Sequence, residues 1–323
     1  MHTFLHKKFR ENFIGLTKKN TSSIIAISGG QDSLCLIKLL NDYHIKIKNS
    51  KHNFEAIYID HQWQKNSFNH AKHIANIINT TNISLTIYQI KKPAFSEVEA
   101  RAKRYKILIN HALKYNYKYI ITGHNQDDQT ETFLQNLIRG STIDGITSLY
   151  NNRKITENLS ILRPMLNFSR EEIKWFCRKF CLPIWSDASN YTYKIKRNRL
   201  RYELIPYLKQ YFNPKLHKSI NTFLNSCNKD NEYIKENSIK LYIKSKHYKF
   251  ISLNIDIIRM QHKSLQARII QMHFYYHFNK RIKKNGLINI IEIINRTQNI
   301  KEIIYSDNLI IQKINGWLYT TLK

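Results

Sequence analysis

The chain has 323 residues, of which 42% are hydrophobic, so it is long enough for about two domains with substantial cores. It holds no run of about 18 apolar residues, which argues against a membrane span, and its basic start lacks the apolar stretch of a secretory signal. The formal net charge of +29 favours a polyanionic partner such as nucleic acid, although AT-rich codons would also raise the lysine content.

The first 140 residues alternate short apolar segments with amphipathic ones. Strands are predicted at 23–28, 54–60, 84–90 and 117–124, and helices at 32–42, 67–79, 96–116 and 127–140. This alternation predicts βαβ units and an α/β fold with a parallel, doubly wound sheet. Ligands bind at the carboxyl ends of such strands. The polar clusters SGGQDS, IDHQW and TGHNQDD each follow a strand, so we expect them to meet in one crevice.

The later part of the chain differs in its composition and in its pattern of predicted elements. A further strand is predicted at 161–166 and a helix that opens with a capping box at 169–180. Residues 191–323 carry 25 basic and 8 acidic side chains, against 27 and 15 in the rest of the chain. We therefore expect a catalytic domain over 1–205, followed by a smaller, mainly helical, basic domain over 206–323.

The segment SIIAISGGQDSLCLIKLL predicts a phosphate-binding turn between a strand and a helix. Paired glycines let backbone N–H groups approach phosphate oxygens, and the next helix points its positive end at them. The loop lacks the lysine of a Walker-type P-loop, and an aspartate among phosphates requires a bridging Mg²⁺. It therefore fits ATP, with Mg²⁺ on the aspartate and attack at the α-phosphorus; a tight turn with incidental serines is the alternative. The predicted ATP-binding residues of this loop are Ser28, Gly29, Gly30, Gln31, Asp32 and Ser33.

The loop SGGQDS resembles the signature of the N-type ATP pyrophosphatases, also called the PP-loop family. Further segments stand in the order found in tRNA(Ile)-lysidine synthetases, namely IDHQWQKNS, EARAKRY, TGHNQDDQTETFLQNLIRGS, LRPML, SDASN and RNRLR. The resemblance covers about residues 20–215 and implies the adenine nucleotide α-hydrolase-like fold. It also implies an enzyme that uses ATP to adenylate carbon 2 of the wobble cytidine of the isoleucine tRNA with a CAU anticodon. Free lysine then displaces AMP to give lysidine.

The acidic segment after the fourth strand supplies candidate catalytic or lysine-binding residues. An attacking amine with an ordinary pKa of about 10.4 needs carboxylates that position it and a group that removes its proton. Asp127 and Glu131 are predicted to share a helix face, with Asp128 pointing toward metal or backbone. Helix capping alone would also explain these acids. His124 is expected to contact the activated phosphate or the base carbonyl.

Two further pairs of residues are assigned to the ATP side of the site. Arg101 and Arg104 lie one helical turn apart, and one of them is expected to neutralise the α-phosphate. The resemblance favours Arg104. Asp60 and His61 end the second strand, where they either frame the adenosine or cap the turn.

A basic strip is predicted to contact tRNA phosphates. Its members are Lys194, Lys196, Arg197, Arg199 and Arg201, and Arg139 is assigned to the same partner. A solvated basic loop that packs against the first domain is the alternative.

Other functions stay open from the sequence. A PP-loop tRNA thiolase adenylates a base in the same way, but none of the four cysteines forms Cys-x-x-Cys. A small-molecule amidating synthetase would not need the basic tail, and a tRNA-binding protein without activity would not need Asp32, Asp127 and Glu131.

The composition suits an AT-rich genome, so we expect a plastid-encoded stromal enzyme or a bacterial cytoplasmic one. Both a monomer and a homodimer are compatible with the sequence.

Overall fold

A six-stranded sheet forms the centre of the first part of the protein in this computed structural model. The structure describes residues 2–18, 20–46, 52–62, 67–91, 96–185, 196–296, 303–306 and 309–322. The strands of the sheet are β1 (Ser22–Ile27), β2 (Asn53–Asp60), β3 (Ser84–Gln89), β4 (Tyr119–Thr122), β5 (Asn152–Lys154) and β6 (Ser160–Leu162). They lie in the order β3-β2-β1-β4-β6-β5, and every pairing is parallel except that between β5 and β6. The predicted parallel sheet is confirmed, with one antiparallel edge strand added.

Helices cover both faces of this sheet, as the doubly wound prediction requires. They are α1 (Phe4–Leu16), α2 (Gln31–Lys46), α3 (Ser67–Asn79), α4 (Glu97–Lys114), α5 (Gln126–Ile138), α6 (Ile143–Ile146) and α7 (Arg170–Lys179). Ile25 and Ile121 pack with side chains of α1, α2, α3 and α7, whereas Ile24 and Ile120 pack with side chains of α4. Strands buried on both faces explain the continuous isoleucine-rich runs, because no face of the sheet is left for polar residues.

The ends of β1 and β4 mark the point where the strand order reverses. The chain moves outward from β1 through β2 to β3 and then returns to the other side of β1 as β4. A crevice opens at such a switch point in an open α/β sheet. The two strand ends are closely packed, since a Cβ on Gly123 would lie 3.1 Å from the carbonyl oxygen of Asp32. The loops after β1 and β4 therefore meet, as the sequence predicts.

The chain divides into two compact units, Met1–Leu224 and Asn225–Lys323. This division lies later than the sequence-predicted boundary at residue 205. The reason is hydrophobic packing, because Ile220 and Leu224 belong to the same buried cluster as Phe133 of α5. The helical segments around the division are α8 (Lys196–Arg199), a π-helical turn (Leu200–Leu204), α9 (Ile205–Tyr211) and α10 (Leu216–Ser245).

The second unit combines helices with a four-stranded antiparallel sheet in the order β7-β10-β9-β8. Its further elements are β7 (Ser252–Asn254), α11 (Ile255–Arg259), α12 (Lys263–Phe278), α13 (Lys284–Asn295), β8 (Ile303–Ser306), β9 (Leu309–Ile314) and β10 (Trp317–Leu322). The predicted helical character is confirmed, but the predicted elements omit the sheet. Its local signal is the Asn315-Gly316 pair, whose φ values of 47° and 79° suit a tight hairpin turn. No helix within the described ranges is long and apolar enough to cross a membrane.

Candidate active site

The loop between β1 and α2 is a glycine turn closed by its two serines. Gly29 has a φ of 71°, in the left-handed region that glycine adopts without strain. The Ser28 N–H donates to Ser33 Oγ at 3.3 Å, and Ser33 Oγ donates to the Gly30 carbonyl at 2.9 Å. Because α2 begins at Gln31, the N–H groups at its start belong to this turn. The loop therefore has the construction of an anion-binding turn.

We expect Gly29→Ala to destabilise the fold and weaken ATP binding. The added Cβ would lie 2.4 Å from Nε2 of His70, and the left-handed conformation costs a non-glycine residue about 1–2 kcal/mol. Gly30→Ala is the matched control, because its Cβ would come no closer than 3.6 Å to Ser28 Oγ. Chemical denaturation should show a loss of more than about 1 kcal/mol for the first variant and less for the second. Equal losses would contradict this account of the turn.

A cavity of about 320 Å³ opens where the ends of β1 and β4 meet. We call it the loop cavity. Residues from four stretches of the chain line it, namely Ala26, Ile27, Ser28, Asp32, Ser33, Arg101, Arg104, Tyr105, Leu108, Thr122, Gly123, His124, Asp128 and Arg197. The phosphate-binding turn, the two arginines of α4 and the segment after β4 thus come together, as the order of the strands predicts.

Asp60 and His61 do not line the loop cavity. Asp60 is buried, and its Oδ1 accepts the N–H of Gln62 at 2.8 Å, which closes the turn after β2. Burial lowers the pKa of His61, and the nearby Arg104 lowers it further. The sequence left two roles open for this pair, framing the adenosine or capping the turn. The contacts of Asp60 are those of a turn cap, whereas His61 lies near Arg104, which lines the cavity.

Asp32 has the surroundings of a metal-binding carboxylate. Burial raises its pKa to about 6, and the neighbouring Asp128 adds to the rise, while Arg170 opposes it. Its Oδ1 is buried and accepts no hydrogen bond from the described residues. A buried carboxylate oxygen without a partner is costly, and beside an anion-binding turn it suits a cation shared with phosphate oxygens. The residues present therefore fit Mg²⁺ on Asp32.

His124 is a neutral side chain held between Thr122 and Arg101. Its Nδ1 lies 2.8 Å from Thr122 Oγ1, and its Nε2 lies 3.4 Å from Arg101 Nη2. Since a guanidinium can only donate, Nε2 is the acceptor and Nδ1 carries the proton. Burial lowers the pKa of His124 well below its usual value, and the nearby arginines, Arg163 first among them, lower it further. The uncharged imidazole thus accepts a hydrogen bond from Arg101, and its contact with the activated phosphate or the base carbonyl stays a prediction.

The carboxylates of α5 take part in a buried arginine–carboxylate cluster, which consists of Asp128, Glu131, Arg170, Arg197 and Arg201. Glu131 is 1% exposed, and it accepts from Arg197 Nε at 2.7 Å and from Arg201 Nε at 2.6 Å. Arg197 Nη2 also donates to Asp128 Oδ1 at 2.8 Å. Arg170 Nη2 lies 3.6 Å from Glu131. Both oxygens of Glu131 are therefore already engaged by guanidinium groups.

The pairing of these acids differs from the sequence prediction. The sequence analysis expected Asp127 and Glu131 to lie on one face of the helix. In the structure, Asp128 and Glu131 are the two acids that both pair with Arg197. Asp127 Oδ2 instead accepts the N–H of Arg170 at 2.9 Å, and its Oδ1 lies 3.5 Å from Nε2 of His217. The cause is the start of α5, where Asn125 forms a capping box with Asp128 and turns that carboxylate back toward the loop cavity.

The RNRLR segment does not form a single basic strip. It is helical, so Arg197 and Arg201 lie one turn apart and both point at the carboxylates of α5. Arg199 points elsewhere, with a 64% exposed side chain that pairs with Glu203 at 3.0 Å. Lys194 lies outside the described residues. The predicted phosphate contacts of Arg197 and Arg201 are therefore corrected to carboxylate contacts, because a helix separates alternate residues onto different faces.

Two residues of the site are absent from the sequence prediction. Arg170 stands in the first turn of α7, where the helix dipole disfavours a cation. A cation at this position indicates that another segment supplies an acidic partner. His217 contacts Asp127 and also lies 2.8 Å from Thr130 Oγ1. No local pattern marks His217, because its partners are about ninety residues earlier in the chain.

Comparisons with known proteins show the family to which the chain belongs. Residues 2–208 match the model of the PP-loop domain, which makes the chain a PP-loop protein with an ATP-binding fold. The fold is similar to that of the U34-tRNA thiolase NcsA from Methanococcus maripaludis, with a TM-score of 0.59 and 18% identity over 68% of this chain and 77% of that one.

The more specific resemblance comes from curated sequences. The chain is 44% identical to the chloroplastic tRNA(Ile)-lysidine synthase of Gracilaria tenuistipitata var. liui, over 98% of this chain and 99% of the relative. It is 39% identical to the tRNA(Ile)-lysidine synthase of Nostoc sp., over 75% of this chain and 69% of the relative. The chain belongs to the tRNA(Ile)-lysidine synthase family. This membership confirms the predicted assignment to an ATP-dependent enzyme of the ligase type.

Proposed function

We propose that this protein joins free lysine to carbon 2 of the wobble cytidine in the isoleucine tRNA with a CAU anticodon. The oxygen on carbon 2 attacks the α-phosphorus of ATP and pyrophosphate leaves. The oxygen now carries AMP, which activates carbon 2. The side-chain amine of lysine then attacks carbon 2 and loses a proton, and AMP departs with the former base oxygen. The observation that carries this proposal is the meeting of an anion-binding turn, two arginines and the carboxylates of Asp32 and Asp128 in one cavity of a chain that belongs to the lysidine synthase family.

The loop cavity supports the first half of the reaction. The turn from Ser28 to Ser33 provides N–H and hydroxyl groups for the pyrophosphate end of ATP. Bound Mg²⁺ would neutralise phosphate charge, with Asp32 as its protein ligand. Arg101 and Arg104 also line the cavity and suit the charge that grows on the α-phosphate.

The second half of the reaction needs an ammonium held near the activated base. Among the three carboxylates of the α5 start, Asp128 is the one that lines the loop cavity, so we assign it the contact with lysine. Glu131 then has a supporting role, because guanidinium groups engage both its oxygens. His124 is assigned to positioning Arg101, since its low pKa makes it a poor base for an amine.

The test of this function is incubation of the protein with ATP, radiolabelled lysine and the CAU-anticodon isoleucine transcript. We expect label in the RNA, with AMP and pyrophosphate released in equal amounts. A transcript with uridine at the wobble position is the matched control and should stay unlabelled. Release of AMP without label in the RNA would overturn the proposal and would point to another acceptor.

We also propose that the protein works in the plastid stroma. The relatives from Gracilaria tenuistipitata var. liui and Pyropia yezoensis are both described as chloroplastic, and each alignment covers nearly the whole of this chain. Cyanobacterial relatives, such as that of Nostoc sp., support a bacterial cytoplasmic location as the alternative. The AT-rich codon composition expected from the many Lys, Asn and Ile residues suits a plastid gene.

A further inference from the structure

A second cavity, of about 720 Å³, adjoins the loop cavity. We call it the basic cavity. Arg101, Tyr105 and Arg197 line both cavities, so these three side chains form the boundary between them. The remaining walls come from α4, α5 and the β5–β6 edge of the sheet. A molecule in the basic cavity that reaches this boundary would therefore contact three side chains that also line the loop cavity.

The charged lining of the basic cavity is entirely cationic. Its ionisable members apart from Tyr105 are Arg101, Arg139, Arg153, Arg163, Lys196 and Arg197. No Asp or Glu stands among the described residues that line it. The charge of Arg197 is compensated by Asp128 and Glu131, but these two carboxylates do not line the basic cavity. The remaining cations gather without an acidic side chain in the cavity wall.

Arg163 differs from the exposed cations of this cavity because its side chain is buried. It is 2% exposed, and its Nη1 donates to the Tyr150 carbonyl at 2.6 Å, while its Nε is buried without an acceptor among the described residues. Burial lowers its pKa; the neighbouring Tyr105 opposes that change, whereas Arg101 and Arg153 add to it. A buried guanidinium that has cationic neighbours and, within the described part of the chain, no carboxylate partner is costly unless an anion completes it.

We propose that the basic cavity binds phosphate groups of the RNA strand that carries the modified base, with Arg163 as the buried anchor and Arg139 and Arg153 as outer contacts. This inference rests on the proposed function. A strand held here would present its base past Tyr105 and Arg101 to the loop cavity. The apolar side chains of Leu149 and Ile155 in the cavity wall suit van der Waals contact with a nucleobase.

Free lysine is the other anionic candidate, through its carboxylate. Its two ammonium groups would meet only cations in this cavity, which has no acidic side chain in its described lining. One carboxylate also cannot neutralise several guanidinium groups that lie apart, whereas successive phosphates of one strand can. The charges therefore favour RNA, and lysine becomes an outcome of the test.

The test compares tRNA binding by the full-length protein and the double variant Arg139→Ala/Arg153→Ala. Both side chains are exposed, so their removal leaves the fold intact. We expect tRNA affinity to fall roughly tenfold or more and the slope of log affinity against log salt to become shallower by about 1.4–1.8. Binding of ATP with Mg²⁺ should not change. Arg178→Ala/Lys179→Ala on the exposed face of α7 removes the same charge and should change the slope less.

Arg163→Gln supplies a second, independent reading. Wild-type stability by thermal denaturation with weakened tRNA binding would support the anchor role. An unchanged salt slope in the double variant, together with a raised KM for lysine, would overturn the inference in favour of an amino-acid site. An unchanged slope and unchanged KM would overturn it altogether. If the unaltered protein binds tRNA but labels no RNA with lysine, the proposed function fails while the variants still decide the role of the cavity.

Discussion

Asp32→Asn should abolish adenylation and, at the same time, make the ligand-free protein more stable at neutral pH. The carboxylate has a pKa of about 6 in the folded protein against an ordinary value of 3.8, chiefly because it is buried. A raised pKa means that ionised Asp32 opposes folding. Its destabilising effect is absent below pH 3.8, grows between pH 3.8 and 6, and is complete above pH 6. Two pKa units correspond to about 3 kcal/mol, which is an upper value for the gain of the variant at pH 7.5.

Chemical denaturation in EDTA, at several values between pH 5 and pH 8, measures this gain. The difference between variant and wild type should shrink as the pH falls, because both side chains become neutral. Asp256→Asn is the matched control, since Asp256 is an exposed acid in the first turn of α11. Adenylation is followed separately by pyrophosphate release. A variant that loses stability at pH 7.5, or that retains pyrophosphate release, would contradict the role given to Asp32.

Glu131→Ala should be the most destabilising substitution among the carboxylates of the site. Glu131 is 1% exposed and accepts three hydrogen bonds from Arg197 and Arg201, at 2.6 to 2.9 Å. Removing one partner of a buried ion pair leaves uncompensated charge and costs about 3–5 kcal/mol. Because Arg197 lines both cavities, its displacement should impair adenylation and lysine transfer together.

Glu203→Ala is the control that the chain itself offers. Glu203 also pairs with an arginine of the RNRLR segment, but the two side chains are 48% and 64% exposed. Exposed pairs of this kind contribute about 0.3–0.5 kcal/mol, so the control should be nearly neutral. Glu131→Gln, which keeps the shape, separates the roles further. If it impairs lysine transfer and leaves adenylation intact, Glu131 binds the lysine ammonium, and the supporting role is wrong.

The arginines show where reasoning from the sequence reaches its limit. Arginines alternate in the segment RNRLR, and the basic composition of the tail makes phosphate the expected partner of these side chains. In the fold, Arg197 and Arg201 meet Glu131, which stands 66 and 70 residues earlier in the chain. Arg163 gives the opposite case. Its segment LRPML belongs to the family pattern, but nothing local shows that its buried Nε finds no acceptor among the described residues.

The sequence by itself indicated the parallel sheet, the glycine turn that carries Asp32, and the meeting of the polar clusters after β1 and β4, whereas the cluster after β2 does not line the loop cavity. Each of these follows from short-range information, because the hydrophobic period, the glycine positions and the polar clusters after the strands are visible within a few residues. The tertiary structure alone decided which carboxylate faces the loop cavity, which arginines are neutralised, and that a cationic cavity adjoins it. Pairings of charges depend on distances between segments far apart in the chain, and those distances exist only once the chain has folded.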